Sequence, residues 1–120
     1  MCDHLGVATV GLMALDAALT EVLEAALRDE GHTPRWVTFG PDAVQLLRRH
    51  RVDVLVLDAH EFVNAKHLLA AIRGYPPTAA LPLVLLGPAR PREVPDLPGV
   101  VKLGPRFDLA AILTAVHRAV

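Results

Sequence analysis

Asp42-Ala43-Val44-Gln45-Leu46-Leu47-Arg48-Arg49-His50-Arg51-Val52-Asp53-Val54-Leu55-Val56-Leu57-Asp58 is the stretch whose reading decides the fold. Its first half spaces apolar residues as a short helix does, opened by Gly40-Pro41-Asp42 and running through His50. Proline is tolerated at the first turn because its missing N–H has no partner there in any case. Its second half, Val54 to Leu57, is apolar without alternation. A strand with one wet face alternates, so a continuous run of strand length reads as a strand buried on both faces, as in a parallel sheet.

Working outward, the same alternation recurs. Val7 to Met13 is an apolar run of strand length. Leu19, Val22, Leu23, Ala26 and Leu27 then form the stripe of an amphipathic helix, with Asp16 as cap and Gly31 as left-handed stop. Arg35 to Phe39 reads as a second strand. After Asp58 come a loop, a helix over about Asn64 to Arg73 and a strand over Leu83 to Leu86. Gly87 to Gly99 carries Pro88, Pro91, Pro95 and Pro98, and a proline inside a helix costs about 3 kcal/mol. Extended chain is therefore expected there, with the fourth helix of a regular alternation shortened or missing. Val100 to Leu103 is the last strand, and Asp108 caps a final helix carrying Leu109, Ile112, Leu113 and Val116.

Strands separated by amphipathic helices predict one α/β domain over residues 1–120: a three-layer, doubly wound, flavodoxin-like sheet of five parallel strands in the order 2-1-3-4-5. Ligands of such sheets sit at the carboxyl ends of the strands, which directs attention to the residues after Met13, Asp58, Leu86 and Leu103.

The helix and strand that end on Asp58 resemble the second helix and third strand of response-regulator receiver domains, the CheY-like family of two-component signal transduction. The run Val101-Lys102-Leu103-Gly104-Pro105-Arg106-Phe107-Asp108-Leu109 is similar to the family's "v-K-P-f-d-l" segment, with two residues inserted between Lys and Pro. The resemblance covers nearly the whole chain. It implies that Asp58 occupies the phospho-acceptor position and Lys102 the position that pairs with the phosphoryl group. It also implies a pair of acids after the first strand, holding Mg²⁺, and a Thr or Ser after the fourth strand. Here the paired acids fall on Ala14 and Leu15, with only Asp16 left at the place of a less essential third acid, and the hydroxyl position falls on Gly87. The loop after Asp58 reads Ala59-His60-Glu61-Phe62, without the family's usual proline. On this matching the chain resembles a degenerate receiver, or pseudo-receiver.

Mg²⁺ takes octahedral oxygen ligands, and phosphoryl transfer depends on the charge neutralisation it supplies. With Ala14 and Leu15 in place of the acids, no metal site, no Mg²⁺ and no other cofactor are expected. Asp58 and Lys102 read as an ion pair kept for structural reasons. His60 and Glu61, close after Asp58, match no closed zinc spacing. His4, His32, His50, His67 and His117 are expected on the solvated surface, and Arg48-Arg49-His50-Arg51 as a solvated helix end whose cations complement the dipole.

Composition excludes other classes. The 120 residues are 52% hydrophobic with a net charge of −1, so the chain is neither disordered nor globally attracted to nucleic acid. No segment offers the roughly 20 consecutive apolar residues of a membrane span. Cys2 is the one cysteine, which excludes an internal disulfide and points to the cytoplasm. There is no serine, no Gly-x-Ser-x-Gly and no phosphate-cradling glycine loop, so no enzyme activity is expected. The expected function is a protein-interaction or dimerisation module in signal transduction or transcriptional regulation, independent of phosphorylation. It would pair with a second copy or a regulatory protein through residues 88–98, the fifth strand and the last helix, where Ala111, Ala115 and Ala119 permit close approach. The alternatives are a working receiver phosphorylated at Asp58 and a small-ligand domain of the cobalamin-binding type. The latter's Asp-x-His-x-x-Gly loop is replaced by Ala14-Leu15-Asp16-Ala17-Ala18.

Overall fold

The computed structural model describes residues 8–13, 16–38, 42–58, 62–87, 99–103 and 108–119, with 62–66 described by backbone alone. Five strands, β1 (Thr9–Met13), β2 (Thr33–Trp36), β3 (Val54–Asp58), β4 (Leu83–Leu86) and β5 (Val100–Leu103), form one sheet in the order β2-β1-β3-β4-β5. Every pairing is parallel. Among the described residues the helices are α1 (Ala17–Asp29), α2 (Ala43–Arg49), α3 (Phe62–Gly74) and α4 (Leu109–Ala119), with a short 3-10 turn at Pro76–Thr78. The fold is thus the doubly wound one read from the sequence. The irregular chain expected across Pro88 to Pro98 lies outside the described residues.

The continuous apolar run of β3 is explained by its two faces. Leu55 and Leu57 pack with Leu47 of α2 and with Leu68, Leu69 and Ile72 of α3. Val54 and Val56 pack with Leu23 and Leu27 of α1 and with Ile112 and Val116 of α4. All four strand residues are fully buried. At roughly 25 cal/mol per Å² of apolar surface, each contributes about 1.5–3 kcal/mol. Gly11 lies opposite Leu55 in the ladder, and a Cβ there would sit 3.0 Å from Leu55 Cδ1 and 3.1 Å from Val52 Cγ1. The close packing of β1 on β3 depends on the missing side chain.

Capping follows the sequence. The Asp16 carboxylate accepts the Leu19 N–H at 2.7 Å, and Asp108 accepts the Ala111 N–H at 2.7 Å. α1 ends in a Schellman arrangement, with Gly31 at φ +87°, the Gly31 N–H on Arg28 O and the His32 N–H on Leu27 O. α2 ends the same way, with Arg51 at φ +53° and the Val52 N–H on Leu47 O.

Three expectations need correction. The second strand is Thr33–Trp36, not Arg35 to Phe39, because the register pairs Thr9 with Thr33 and Leu12 with Trp36. Pro34 is accommodated because β2 is an edge strand, and Trp36 is left 53% exposed with its indole N–H on Glu24 at 2.7 Å. His32 is not on the surface but 3% exposed, since it follows the glycine stop at a position that folds back onto the helix. Ala115, expected on a contact surface, is 5% exposed within the α1/α4 core, whereas Ala111 and Ala119 are half-buried.

Candidate functional site

The carboxyl ends of the strands bring the sequence-derived positions to one edge. Asp58 is the last residue of β3 and is half-buried. The ladder pairs it with Leu86, and Leu86 with Leu103. Lys102, also half-buried, belongs to the preceding row, with Leu85 and Leu57. Two strand spacings, about 10 Å, separate the columns that carry Asp58 and Lys102. Pleat alternation assigns the two residues to opposite faces, so an approach between them passes over the end of β4, at Leu86 and Gly87.

Gly87 occupies that crossing point. It is buried, its φ is +58°, and its N–H donates to Leu103 O at 3.1 Å. The bond extends the β4–β5 ladder by one step and holds the backbone in the left-handed region. That region is open to glycine and a genuine outlier for a β-branched residue. The place where the receiver resemblance requires Thr or Ser therefore has a backbone that favours glycine and resists a β-branched threonine.

Asp16 is exposed, and its carboxylate is engaged as the cap of α1; its backbone carbonyl accepts the Thr20 hydroxyl at 2.8 Å. Ala14, Leu15, His60 and Glu61 lie outside the described residues. Among the described residues no group of three or more His, Cys, Asp or Glu side chains gathers as a metal site. No helix among the described residues is long and apolar enough to cross a membrane.

On the flank of β5 and α4 lies a recess of about 360 Å³ lined by Val101 and Leu103 of β5 and by Ala110, Ala111, Thr114, Ala115 and Arg118 of α4. Val101 is 40% exposed, unlike the fully buried residues of β4. The basic run behaves as a helix end: Arg48 and Arg49 close α2, and Arg48 Nη1 donates to the Tyr75 hydroxyl at 3.0 Å. His32 is a buried titratable group that sequence reasoning missed. The signal available was its place directly after a glycine stop, where the chain turns back into the core.

The fold is that of response-regulator receiver domains, which the similar solved structures share. The chemotaxis response regulator CheY4 of Vibrio cholerae superposes with a TM-score of 0.77 at 17% identity, covering 95% of this chain and 99% of that one. The receiver domain of the sensor histidine kinase PA1611 from Pseudomonas aeruginosa, which has a magnesium ion coordinated in its active-site cleft, gives 0.73 at 19% identity over 92% of this chain and 95% of that one. A response regulator of Chloroflexus aurantiacus gives 0.75 at 22% identity over 93% and 96%. No protein-family model and no curated protein sequence matches the chain.

Proposed function

We propose that this chain is a signalling module of the pseudo-receiver type: a receiver fold that acts by docking rather than by carrying a phosphoryl group, and not an enzyme. The observation that carries the reading is the backbone at Gly87. A receiver that responds to phosphorylation needs a hydroxyl side chain here, and this position is buried at φ +58° and tied to Leu103. The sequence adds Ala14 and Leu15 where the metal-holding acids belong. Asp16 does not substitute for them, because its carboxylate caps α1. Without the metal and the switch hydroxyl, charge developing on a phosphoryl group beside Asp58 loses two of the three partners the receiver resemblance supplies, leaving the Lys102 position.

Intact-mass measurement after treatment with acetyl phosphate and Mg²⁺ tests this directly. No phosphoryl adduct is expected under conditions that label ordinary receivers. A stoichiometric adduct, lost in Asp58→Asn, overturns the proposal in favour of a working phospho-acceptor.

The docking surface we assign is the β5–α4 flank, and its occupant a second copy of the chain. The recess there joins an exposed valine to small residues of α4, beside the edge strand β5. A twofold self-contact is the commonest way for a small protein to cover such a flank.

A further inference from the structure

His32 is 3% exposed, and its two ring nitrogens are in opposite situations. Nδ1 accepts the backbone N–H of Ala8 at 3.0 Å, at the entry to β1. Nε2 is buried with no hydrogen-bond partner. Buried polar side-chain atoms are almost always partnered, so this orphan calls for an explanation. The ring of His117, in the last turn of α4, lies against it, with centroids 5.1 Å apart and the planes tilted by 40°.

The hydrogen-bond pattern dictates the protonation state. To accept from Ala8, Nδ1 has to present its lone pair, so the neutral ring carries its proton on Nε2. An imidazolium has a proton on both nitrogens, and its Nδ1–H would point at the Ala8 N–H, donor against donor. Protonation of His32 is therefore incompatible with the contact that holds it. The same arrangement speaks against a metal at Nε2, since a ligating histidine ordinarily donates from its other nitrogen.

We propose that the His32–His117 pair is a proton-sensitive latch: protonation of His32 breaks its bond to Ala8 and frees the start of β1 and the last turn of α4 from the α1–β2 turn. The charged groups facing it bias the threshold. Burial disfavours the imidazolium most, and His117 from α4 opposes a second positive charge beside its own; both lower the affinity of His32 for a proton, while Glu30 from the turn raises it. His117 is exposed in the last turn of α4. The folded-state pKa of His32 lies below 6.5. The unfolded chain consequently takes up more protons as pH falls below that value. The contribution of His32 to stability is complete above pH 6.5, declines as pH falls beneath it, and levels off below the folded pKa. The latch is closed at neutral pH and opens in acid.

Nitrogen NMR of the wild-type histidine rings and amide hydrogen exchange across pH test the proposal together. Expected at pH 7.5 is a neutral His32 with its proton on Nε2. Between pH 7.5 and 5, exchange at Ala8 and in the last turn of α4 should rise at least tenfold after correction for intrinsic rates, in step with His32. His32→Gln, which keeps an acceptor for Ala8 without titrating, should abolish the rise. His117→Gln, which removes the neighbouring charge, should move it to higher pH. A neutral His32 protonated on Nδ1, Ala8 exchange that does not follow His32, or an unchanged pH response in His32→Gln each overturns the latch. The tautomer measurement on the wild type decides even if a variant fails to fold.

Discussion

Asp53 and Thr9 are joined by two reciprocal hydrogen bonds: the Thr9 N–H donates to Asp53 Oδ2 at 2.8 Å, and the Asp53 N–H donates to Thr9 O at 2.8 Å. The pair closes a span of 44 residues and sets the register in which β3 enters beside β1. Removing the carboxylate leaves the Thr9 N–H to water. Asp53→Ala is expected to cost about 1 kcal/mol, the usual net worth of one such bond. Urea denaturation read by circular dichroism checks it, with Asp53→Asn, which retains an acceptor, recovering part of the loss.

Arg51 adopts the left-handed conformation at the end of α2, where Gly31 serves at the end of α1. A side chain in that conformation costs roughly 1–2 kcal/mol relative to glycine. The greater entropy of glycine in the unfolded chain offsets part of this. Arg51→Gly is expected to raise stability by about 0.5–1 kcal/mol, seen as a higher thermal midpoint. An unchanged or lowered midpoint would mean that the Arg51 side chain stabilises the fold more than its backbone costs.

Gly87→Thr installs the hydroxyl that the receiver resemblance calls for, on a backbone that does not suit it. The substitution is expected to destabilise the fold by about 1–3 kcal/mol, the range for strained backbone positions, and to leave the chain unlabelled by acetyl phosphate. Thermal melting and intact mass read the two outcomes separately. A threonine tolerated without loss would show that the strand end relaxes out of the left-handed region.

Val101→Arg places a charge in the β5–α4 recess while sparing the core. The wild type is expected to sediment as a dimer at micromolar concentration and the variant as a monomer, with an unchanged circular dichroism spectrum and a thermal midpoint that no longer rises with protein concentration. Ala115 is unsuitable as the probe, because its burial confounds lost association with lost folding. A wild type that sediments as a monomer would refute the self-contact.

The elements that were legible in the sequence are those whose signal is local and redundant. Val54 to Leu57, Leu23 and Leu27 of the α1 stripe, and the caps Asp16 and Asp108 each announce themselves through neighbours a few residues away, whereas Val22 of the same stripe is exposed. The second strand was displaced because Pro34 is acceptable only on an edge, and being an edge is a property of the whole sheet. Ala115 was misplaced because α4 presents alanines around much of its circumference, and composition does not say which of them meets β4. At the candidate site, Asp58 and Lys102 were singled out by their likeness to a family pattern. The one-row offset between them across β4 depends on a register between strands far apart in sequence.

By itself the sequence determined that this is a parallel α/β domain ordered 2-1-3-4-5; the resemblance carried by it places Ala14, Leu15 and Gly87 where a phosphoryl-handling receiver is expected to have acids and a hydroxyl. Hydrophobic periodicity and residue identity are properties of short segments, and they survive without knowledge of the fold. Only the tertiary structure decided that Gly87 sits at positive φ with its N–H on Leu103 O, and that His32 is buried with one nitrogen on Ala8, the other orphaned, and its ring against His117. Those facts arise where segments 16, 24 and 85 residues apart converge (103 − 87, 32 − 8 and 117 − 32). A glycine or a histidine carries the same letter whether its surroundings are water or a packed core. What it does is set by the groups that packing brings within hydrogen-bonding distance.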